Sequence, residues 1–301
     1  SLEENEFLKT VFADFRLSAT SLNTYLECPY KFKLNNLLRT PRAKNPSLCL
    51  GSAVHKALEI FMRNFLLSGV LPTSQYLIDH FESALNGEIL TEKDRRELLK
   101  RGKKILKDYL DYYRDTIVKP LAVEKFFGYG FSKVYLGDIP LTGKIDKIER
   151  LENYPEKGRP AVKVIDYKTD SKPKSRNYIE GKTEDGDRSY KRQLIFYKLL
   201  ADLDHSFNFE VVESELDFIV ADNGKFSKAS FTITPEEVGQ LKETIRVVMG
   251  KLHHFEFPRT SEYRFCSRCD FKSHCWPEGV PSKKGQLELF FDGKIQENLK
   301  S

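Results

Sequence analysis

The sequence predicts an α/β fold, a mixed central β-sheet flanked by helices with an added helical block. Three observations predict it. Apolar residues recur at helical spacing through most of residues 21–118, two-residue alternation takes over from Val123, and a helical stretch at 188–203 separates two groups of strands. Helices, then a strand meander, then strand, helix, strand is the order that builds a sheet with helices packed on it. At 301 residues and 40% hydrophobic content the chain can bury a full core, as one large domain or a domain with a sizeable insertion.

Taken in order, Ser18 or Thr20 can cap a helix from about residue 21 to 38, with Leu22, Tyr25, Leu26, Phe32 and Leu37 on its apolar side and Cys28-Pro29 interrupting it. Arg39, Arg42 and Lys44 among prolines mark a loop. Gly51 opens a second helix, 52–67, whose Val54, Leu58, Phe61, Met62 and Phe65 follow helical spacing and whose His55 and Glu59 share one face. Residues from about 68 to 120 read as a helical insertion, its longest helix striped by Leu98, Leu99, Ile105, Leu106, Tyr109, Leu110 and Tyr113. Strands follow in VEKFFGYGF, FSKVYL, IPLTGKIDKIERL and AVKVIDYKT, with a Gly137-Asp138 turn and a polar connection through Pro155 and Gly158. After the helix at 188–203 come EVVESELDFIV and KASFTI. A last helix starts at Thr234-Pro235-Glu236-Glu237, where Thr234 caps and Glu237 completes a capping box, and runs to about His254.

The formal charge of +5 is too small by itself to announce nucleic-acid binding, because cations must cluster to make a footprint. The cluster from Lys93 to Lys107 is interspersed with acids and reads as a solvated helix face. Lys172, Lys174, Arg176 and Lys182, directly after an acidic centre, are expected to touch phosphate. No apolar run approaches the length of a membrane span and the first ten residues are too polar for a secretory signal, so a cytoplasmic location without membrane contact is expected. A first residue of Ser rather than Met points to a segment excised from a longer protein, although tag removal leaves the same scar. Five cysteines in a reducing compartment favour metal ligation over disulfides.

Cys266, Cys269 and Cys275 have the form C-x2-C-x5-C, which lets three thiolates converge on one metal centre. Cys28, in a turn-like context before Pro29, is the candidate fourth ligand, so that a metal would staple the two ends of the domain. Spacing alone suits zinc and an iron–sulfur cluster equally. Cys49 reads as a small buried apolar residue. Between the cysteines lie Gly143-Lys144-Ile145-Asp146 and Asp166-Tyr167-Lys168-Thr169. Alternation points Asp166 and Lys168 to one side of their strand, and a carboxylate from each of two neighbouring strands makes an oxygen-rich pocket suited to Mg2+ or Mn2+. Lys168 beside it could orient a water or stabilise developing charge. The plain reading of Asp166 and Lys168 is a surface ion pair. No G-x-x-x-x-G-K-[ST] loop occurs in the chain.

In family order the chain carries S-x-x-x-Y-x-x-C-P-x-x-F from Ser21 to Phe32, G-x-x-x-H from Gly51 to His55, G-x-x-D from Gly143 to Asp146, D-Y-K-T from Asp166 to Thr169, Q-x-x-x-Y from Gln193 to Tyr197, and the C-x2-C-x5-C tail. This set resembles the PD-(D/E)XK phosphodiesterase superfamily, and within it the RecB-like nuclease domains of helicase-nucleases of the RecBCD and AddAB type and the related Cas4 proteins. The resemblance implies a restriction-endonuclease-like core over residues 1–276 and a polar tail over 277–301. It implies that His55, Asp146, Asp166 and the backbone carbonyl of Tyr167 hold Mg2+ or Mn2+, that Lys168 is the catalytic lysine, and that Gln193 and Tyr197 line the DNA groove. It further implies a [4Fe-4S] cluster on Cys28, Cys266, Cys269 and Cys275, with Zn2+ as the alternative. The activity implied is a metal-dependent deoxyribonuclease, an exonuclease on single strands delivered by a helicase in recombination and repair. The alternatives are a free-standing Cas4-like exonuclease and a non-catalytic DNA-binding module with a structural metal. The polar stretch from Ser171 to Tyr190 departs from the pattern and is expected to form a mobile loop over the DNA path.

The tail contains Gln286-Leu287-Glu288-Leu289-Phe290, which resembles the motif by which bacterial replication and repair proteins dock on the sliding clamp. The plain reading is an edge strand in which Leu287, Leu289 and Phe291 alternate.

Overall fold

A computed structural model describes residues 2–41, 44–152, 154 and 158–280. The tail motif at Gln286–Phe290 therefore lies outside the described residues. The chain divides into two compact units. One is formed by Arg16–Ala19 and Pro41–Glu243, the other by Ser1–Phe15, Thr20–Thr40 and Thr244–Ser301.

In the larger unit, three helices come first. α4 (Pro46–Ser68) starts six residues earlier than Ser52, because the Asn45 side chain accepts from Leu48 N–H at 2.9 Å and Pro46 has no N–H to leave unsatisfied. It ends at Gly69, whose φ of 72° takes the left-handed turn that closes a helix. α5 (Ser74–Asn86) and α6 (Glu92–Tyr113) are capped by the Thr73 and Thr91 hydroxyls. Their apolar stripes meet in one core with Leu58, Phe61, Phe81, Leu106 and Leu110, and that core continues into Ile165, Tyr167 and Ile219 of the sheet. The basic run of α6 is an exposed face, with Lys104–Asp108 and Lys107–Asp111 pairs at 2.5 Å.

The sheet has five strands in the order β1 (Ala122–Phe127), β4 (Gly143–Arg150), β5 (Ala161–Lys168), β6 (Glu210–Asp222), β7 (Lys225–Phe231). All neighbours are antiparallel except β5 and β6, which are parallel and joined through α8 (Ser189–Leu203). A parallel pair requires such a crossover, and this one explains why helical periodicity interrupts the strand pattern. β2 (Tyr135–Leu136) and β3 (Ile139–Pro140) form a separate small hairpin. The odd-numbered Ile165 and Tyr167 face α4, α5 and α6, which leaves the even-numbered Asp166 and Lys168 on the face where α8 packs. Residues 171–190 are not a featureless loop. They contain α7 (Arg176–Ile179), started by the Ser175 hydroxyl, with Ile179 fully buried.

The smaller unit contains α1 (Leu2–Ala13), which the polar N-terminal sequence did not suggest, with Leu8 buried. The helix expected over 21–38 is three pieces: α2 (Ala19–Glu27), α3 (Pro29–Phe32) and a π-helical turn, Lys33–Leu37. Cys28 breaks it with an extended backbone, and its Sγ accepts from Lys31 N–H at 3.4 Å to start α3. Tyr25 and Phe32 pack edge to face, and the Tyr25 hydroxyl donates to Glu256 O at 2.9 Å. α9 (Pro235–His253) carries the chain into this unit, where α10 (Tyr263–Cys266) and α11 (Lys272–Cys275) follow.

Candidate active site

β4 and β5 are registered with Lys147 opposite Ile165, which brings Asp146 level with Asp166. Both carboxylates are buried, 8% and 3% exposed. The two carboxylates are held differently. Asp146 Oδ2 accepts from the backbone N–H of Tyr167 at 2.9 Å, and His55 Nδ1 stands 3.4 Å from the same oxygen. His55 arrives on α4, which passes so close to the end of β5 that a Cβ at Gly51 would lie 3.0 Å from Thr169 Oγ1. Burial works to lower the His55 imidazole's pKa, but the hydrogen bond and charge of Asp146, with Asp166 behind it, prevail and raise it.

α8 supplies the rest. A Cβ at Gly143 would meet Leu200 Cδ1 at 2.4 Å, so the glycine lets α8 lie directly on β4. Gln193 and Tyr197, one turn apart on α8, then both reach Asp166 Oδ1, the amide of Gln193 at 3.0 Å and the hydroxyl of Tyr197 at 2.6 Å. Burial first, then the charges of Asp166 and Asp146, push the Tyr197 phenol well above its ordinary value, so it remains a donor. The ammonium of Lys168 is fixed on three sides: 2.7 Å from Asp166 Oδ2, donating to Gln193 Oε1 at 2.7 Å, and 4.7 Å from the centre of the Tyr190 ring. The Tyr190 hydroxyl donates to the Asp170 carboxylate at 2.7 and 2.8 Å.

Two neighbours were not anticipated from sequence. Tyr190 begins α8 and reads as an ordinary packing aromatic, and only its contact with Lys168 singles it out. Glu124 lies between the register pairs Val123↔Lys147 and Lys125↔Ile145, opposite Asp146, with a positive φ of 52° that a strand pattern does not reveal. It pairs with Lys144, and burial, reinforced by the Asp146 charge, raises its pKa despite that lysine. Glu59 is not a partner of His55. It pairs with Lys56 at 3.0 Å and Arg63 at 3.1 Å along its own helix. Among the basic residues after β5, Arg176 donates to Glu180 and to Ser230 O and covers the Phe231 ring, and Lys174 lies over Tyr178. Lys172 is exposed and has no ion-pair partner among the described residues.

Two hard carboxylates and an imidazole match the donor set of a divalent cation. Asp166 Oδ2 is buried and accepts no hydrogen bond, since Lys168 approaches it as a charge without hydrogen-bond alignment, and an orphan oxygen of this kind is what a cation would satisfy. Among the described residues no three His, Cys, Asp or Glu side chains are gathered closely enough to hold a metal ion as they stand.

In the smaller unit, Cys28, Cys266, Cys269 and Cys275 line one cavity, together with Arg259 and Trp276. Cys49 is separate and fully buried. Burial first, and then neighbouring thiols (Cys28, Cys269 and Cys275 around Cys266; Cys269 and Cys28 around Cys275), push the pKa values of Cys266 and Cys275 up. That repulsion among thiolates is what a bound cation relieves.

A family model for this nuclease fold matches residues 16–276. The chain belongs to the PD-(D/E)XK nuclease superfamily. Divalent metals are common among these nucleases. The chain is 25% identical over 196 residues to a subunit of the ATP-dependent helicase/deoxyribonuclease of Clostridium acetobutylicum, a match that covers 57% of this chain and 17% of that protein. The fold is similar to the crystal structure of a Eubacterium rectale protein provisionally named an exonuclease, with a TM-score of 0.53, 13% identity, and coverage of 90% of this chain and 92% of the other. No helix among the described residues is long and apolar enough to cross a membrane.

Proposed function

We propose that the chain is the nuclease segment of a DNA-processing enzyme, a divalent-cation-dependent deoxyribonuclease that hydrolyses single strands exonucleolytically and leaves 5′-phosphate and 3′-hydroxyl ends. The observation that carries this reading is the clamp on Asp166 and Lys168. A buried carboxylate and a lysine are oriented by Gln193 and Tyr197, with Asp146 and His55 beside them. A structural ion pair does not need Gln193, Tyr197 and Tyr190 all arranged to fix it.

His55, Asp146, Asp166 and the carbonyl of Tyr167 would hold Mg2+ or Mn2+. Such a cation polarises a phosphoryl oxygen and makes water a stronger nucleophile at neutral pH. The chain's own residues position the reaction. Lys168 places a fixed positive charge where the attacked phosphate gains negative charge, and Gln193 keeps that ammonium pointed inward. Tyr197 and Gln193 hold Asp166 in one orientation, which a helix-borne pair does more rigidly than a loop. Lys172 and Lys174, with Arg176 more constrained, would meet backbone phosphates on the way to the site.

The four cysteines would carry a [4Fe-4S] cluster, with Zn2+ the alternative that the same sulfur donors allow. The similarity to a helicase/deoxyribonuclease subunit supports a helicase, in the same polypeptide or as a partner, as the source of single strands, and supports recombination or repair in the cytoplasm as the setting. Anaerobic purification, iron, sulfide and zinc analysis, and a cleavage assay on the same sample with labelled single- and double-stranded DNA test the reading. Cleavage that proceeds in EDTA, or none with Mg2+ or Mn2+, would overturn it.

A further inference from the structure

Residues 126–135 display aromatic rings that the fold does not bury. Phe131 is fully exposed, and Tyr129, Phe126 and Tyr135 are 60%, 57% and 42% exposed. Alternation explains part of this: Ser132, Val134 and Leu136 are buried, so Phe131, Lys133 and Tyr135 stand on the outer side. The segment is nevertheless fixed. Gly128, φ 88°, sits where a Cβ would lie 2.2 Å from Leu141 O, and its N–H donates to the buried Ser132 hydroxyl, which donates to Asp204 at 2.6 Å. Leu141 N–H donates to Val134 O at 2.9 Å. A tight scaffold that holds several large rings out in water has no folding rationale.

Cations are placed among the rings. Leu17 is stitched to the neighbouring chain by bonds to Pro140 O and from Thr142 N–H, 3.0 and 2.9 Å, which sets the Arg16 guanidinium 5.6 Å from the Tyr129 ring centre and 5.8 Å from that of Tyr135. Arg16 and Lys133 have no carboxylate partner among the described residues, and Arg16 Nη1 is buried without a hydrogen bond. Lys144 stands 5.6 Å from the Phe126 ring centre, two residues before Asp146 on the same side of β4. The surface thus continues into the candidate active site.

Alternating π-faces and cations, of which Arg16 and Lys133 have no carboxylate partner among the described residues while Lys144 is shared with Glu124, suit a polyanion whose bases are free to stack. Single-stranded nucleic acid offers that, whereas a duplex keeps its base faces covered and a hydrophobic protein partner has no use for the cations. We propose that Tyr129, Phe131 and Tyr135, with Arg16, Lys133 and Lys144, form a stacking platform for single-stranded DNA that leads the strand to Asp146. The direction of feeding rests on the nuclease reading of that site; the binding does not.

The test is fluorescence anisotropy of the full chain in EDTA with labelled oligo-dT and with a blunt duplex, for the unaltered protein and for Tyr129→Ala, Phe131→Ala and Arg16→Ala, with parallel cleavage assays in Mg2+. Each ring variant is expected to raise the Kd for oligo-dT about tenfold and to leave the duplex Kd and the melting temperature unchanged. Arg16→Ala is expected to reduce the salt dependence of oligo-dT binding by about one phosphate contact. If the unaltered chain cleaves DNA while both ring variants bind oligo-dT as it does, the platform is refuted and the nuclease reading stands. If the unaltered chain binds oligo-dT through the rings without cleaving it, the nuclease reading fails and the platform stands. Self-association lost in Phe131→Ala with unchanged DNA affinity would give the rings to a second copy and refute the proposal.

Discussion

The Tyr197 hydroxyl donates to Asp166 Oδ1 at 2.6 Å, and this fixes the carboxylate so that Oδ2, buried and without a hydrogen bond, faces Lys168 Nζ at 2.7 Å. One oxygen of the pair is thus taken by the protein's hydrogen bonds and the other is left without one. Tyr197→Phe is expected to leave the fold intact and to lower the cleavage rate roughly tenfold, because a single buried hydrogen bond to a charged group is worth about 1.5–3 kcal/mol. Single-turnover rates at saturating DNA would check it, and an unchanged rate would show that Gln193 orients Asp166 by itself.

Asp166→Asn and Lys168→Ala should abolish Mg2+- or Mn2+-dependent cleavage, by at least ~10²-fold, while DNA affinity remains within about twofold. On the proposed reading these groups act at the reacting phosphate, away from the contacts along the strand that would supply most of the affinity. Ca2+ should bind without supporting turnover, since its looser coordination misplaces the attacking water. Gel assays and equilibrium binding on the same preparations separate the two effects.

Tyr190 serves Lys168 indirectly, with its ring against the ammonium and its hydroxyl on Asp170. Tyr190→Leu should lower kcat with little change in KM, and Tyr190→Phe, which keeps the ring, should recover most of the loss. A change confined to KM would make Tyr190 a substrate contact instead.

Asp204 closes α8 and holds the 128–132 turn through Ser132. Burial works to raise its pKa, but the hydroxyls of Ser132 and Ser206 and the N–H of Ser206 prevail and lower it. Because the folded value lies below the unfolded one, the ionised carboxylate stabilises the fold above the ordinary aspartate range, and that stability is lost as pH falls through the depressed value. Asp204→Ala should therefore be destabilising by about 1–3 kcal/mol at pH 7 and by less in acid, as urea melts at the two pH values would report. An equal effect at both would mean that the hydrogen bonds survive protonation.

Cys269→Ala should remove visible absorbance or bound zinc and destabilise the smaller unit. A centre joining Cys28 to Cys266 closes a loop of over two hundred residues, for which the chain-entropy estimate for a comparable crosslink is ~5 kcal/mol. A colourless, metal-free protein of unaltered melting temperature would contradict it.

The sheet and its flanking helices could be anticipated from alternation on β4 and β5 and helical spacing on α4 and α8, and alternation also brings Asp146 and Asp166 together; His55, Gln193 and Tyr197 join them only through the resemblance of the motif set to a nuclease family. What escaped depended on tertiary context. α1 has a weak apolar stripe, α4 begins at a cap that competes with the Gly51 signal, and Glu124 has a backbone conformation that no alternation encodes. The role of Tyr190 arises from where β5 ends, and the exposed rings at 129–135 look in sequence like any half-buried strand.

The smaller unit is assembled from both ends of the chain, and this imposes an order on synthesis. Cys28 leaves the ribosome well ahead of its nearest partner in the cavity, Cys266, which is 238 positions behind it. At roughly 5–20 residues per second the nascent thiol waits about 12–50 s without the sulfurs it faces in the finished protein. Throughout that interval the larger unit can be completed and folded. Any centre on the four thiols is therefore a last step, and oxidative damage to Cys28 in the waiting period would yield molecules with a formed carboxylate site and a cavity unable to close around metal.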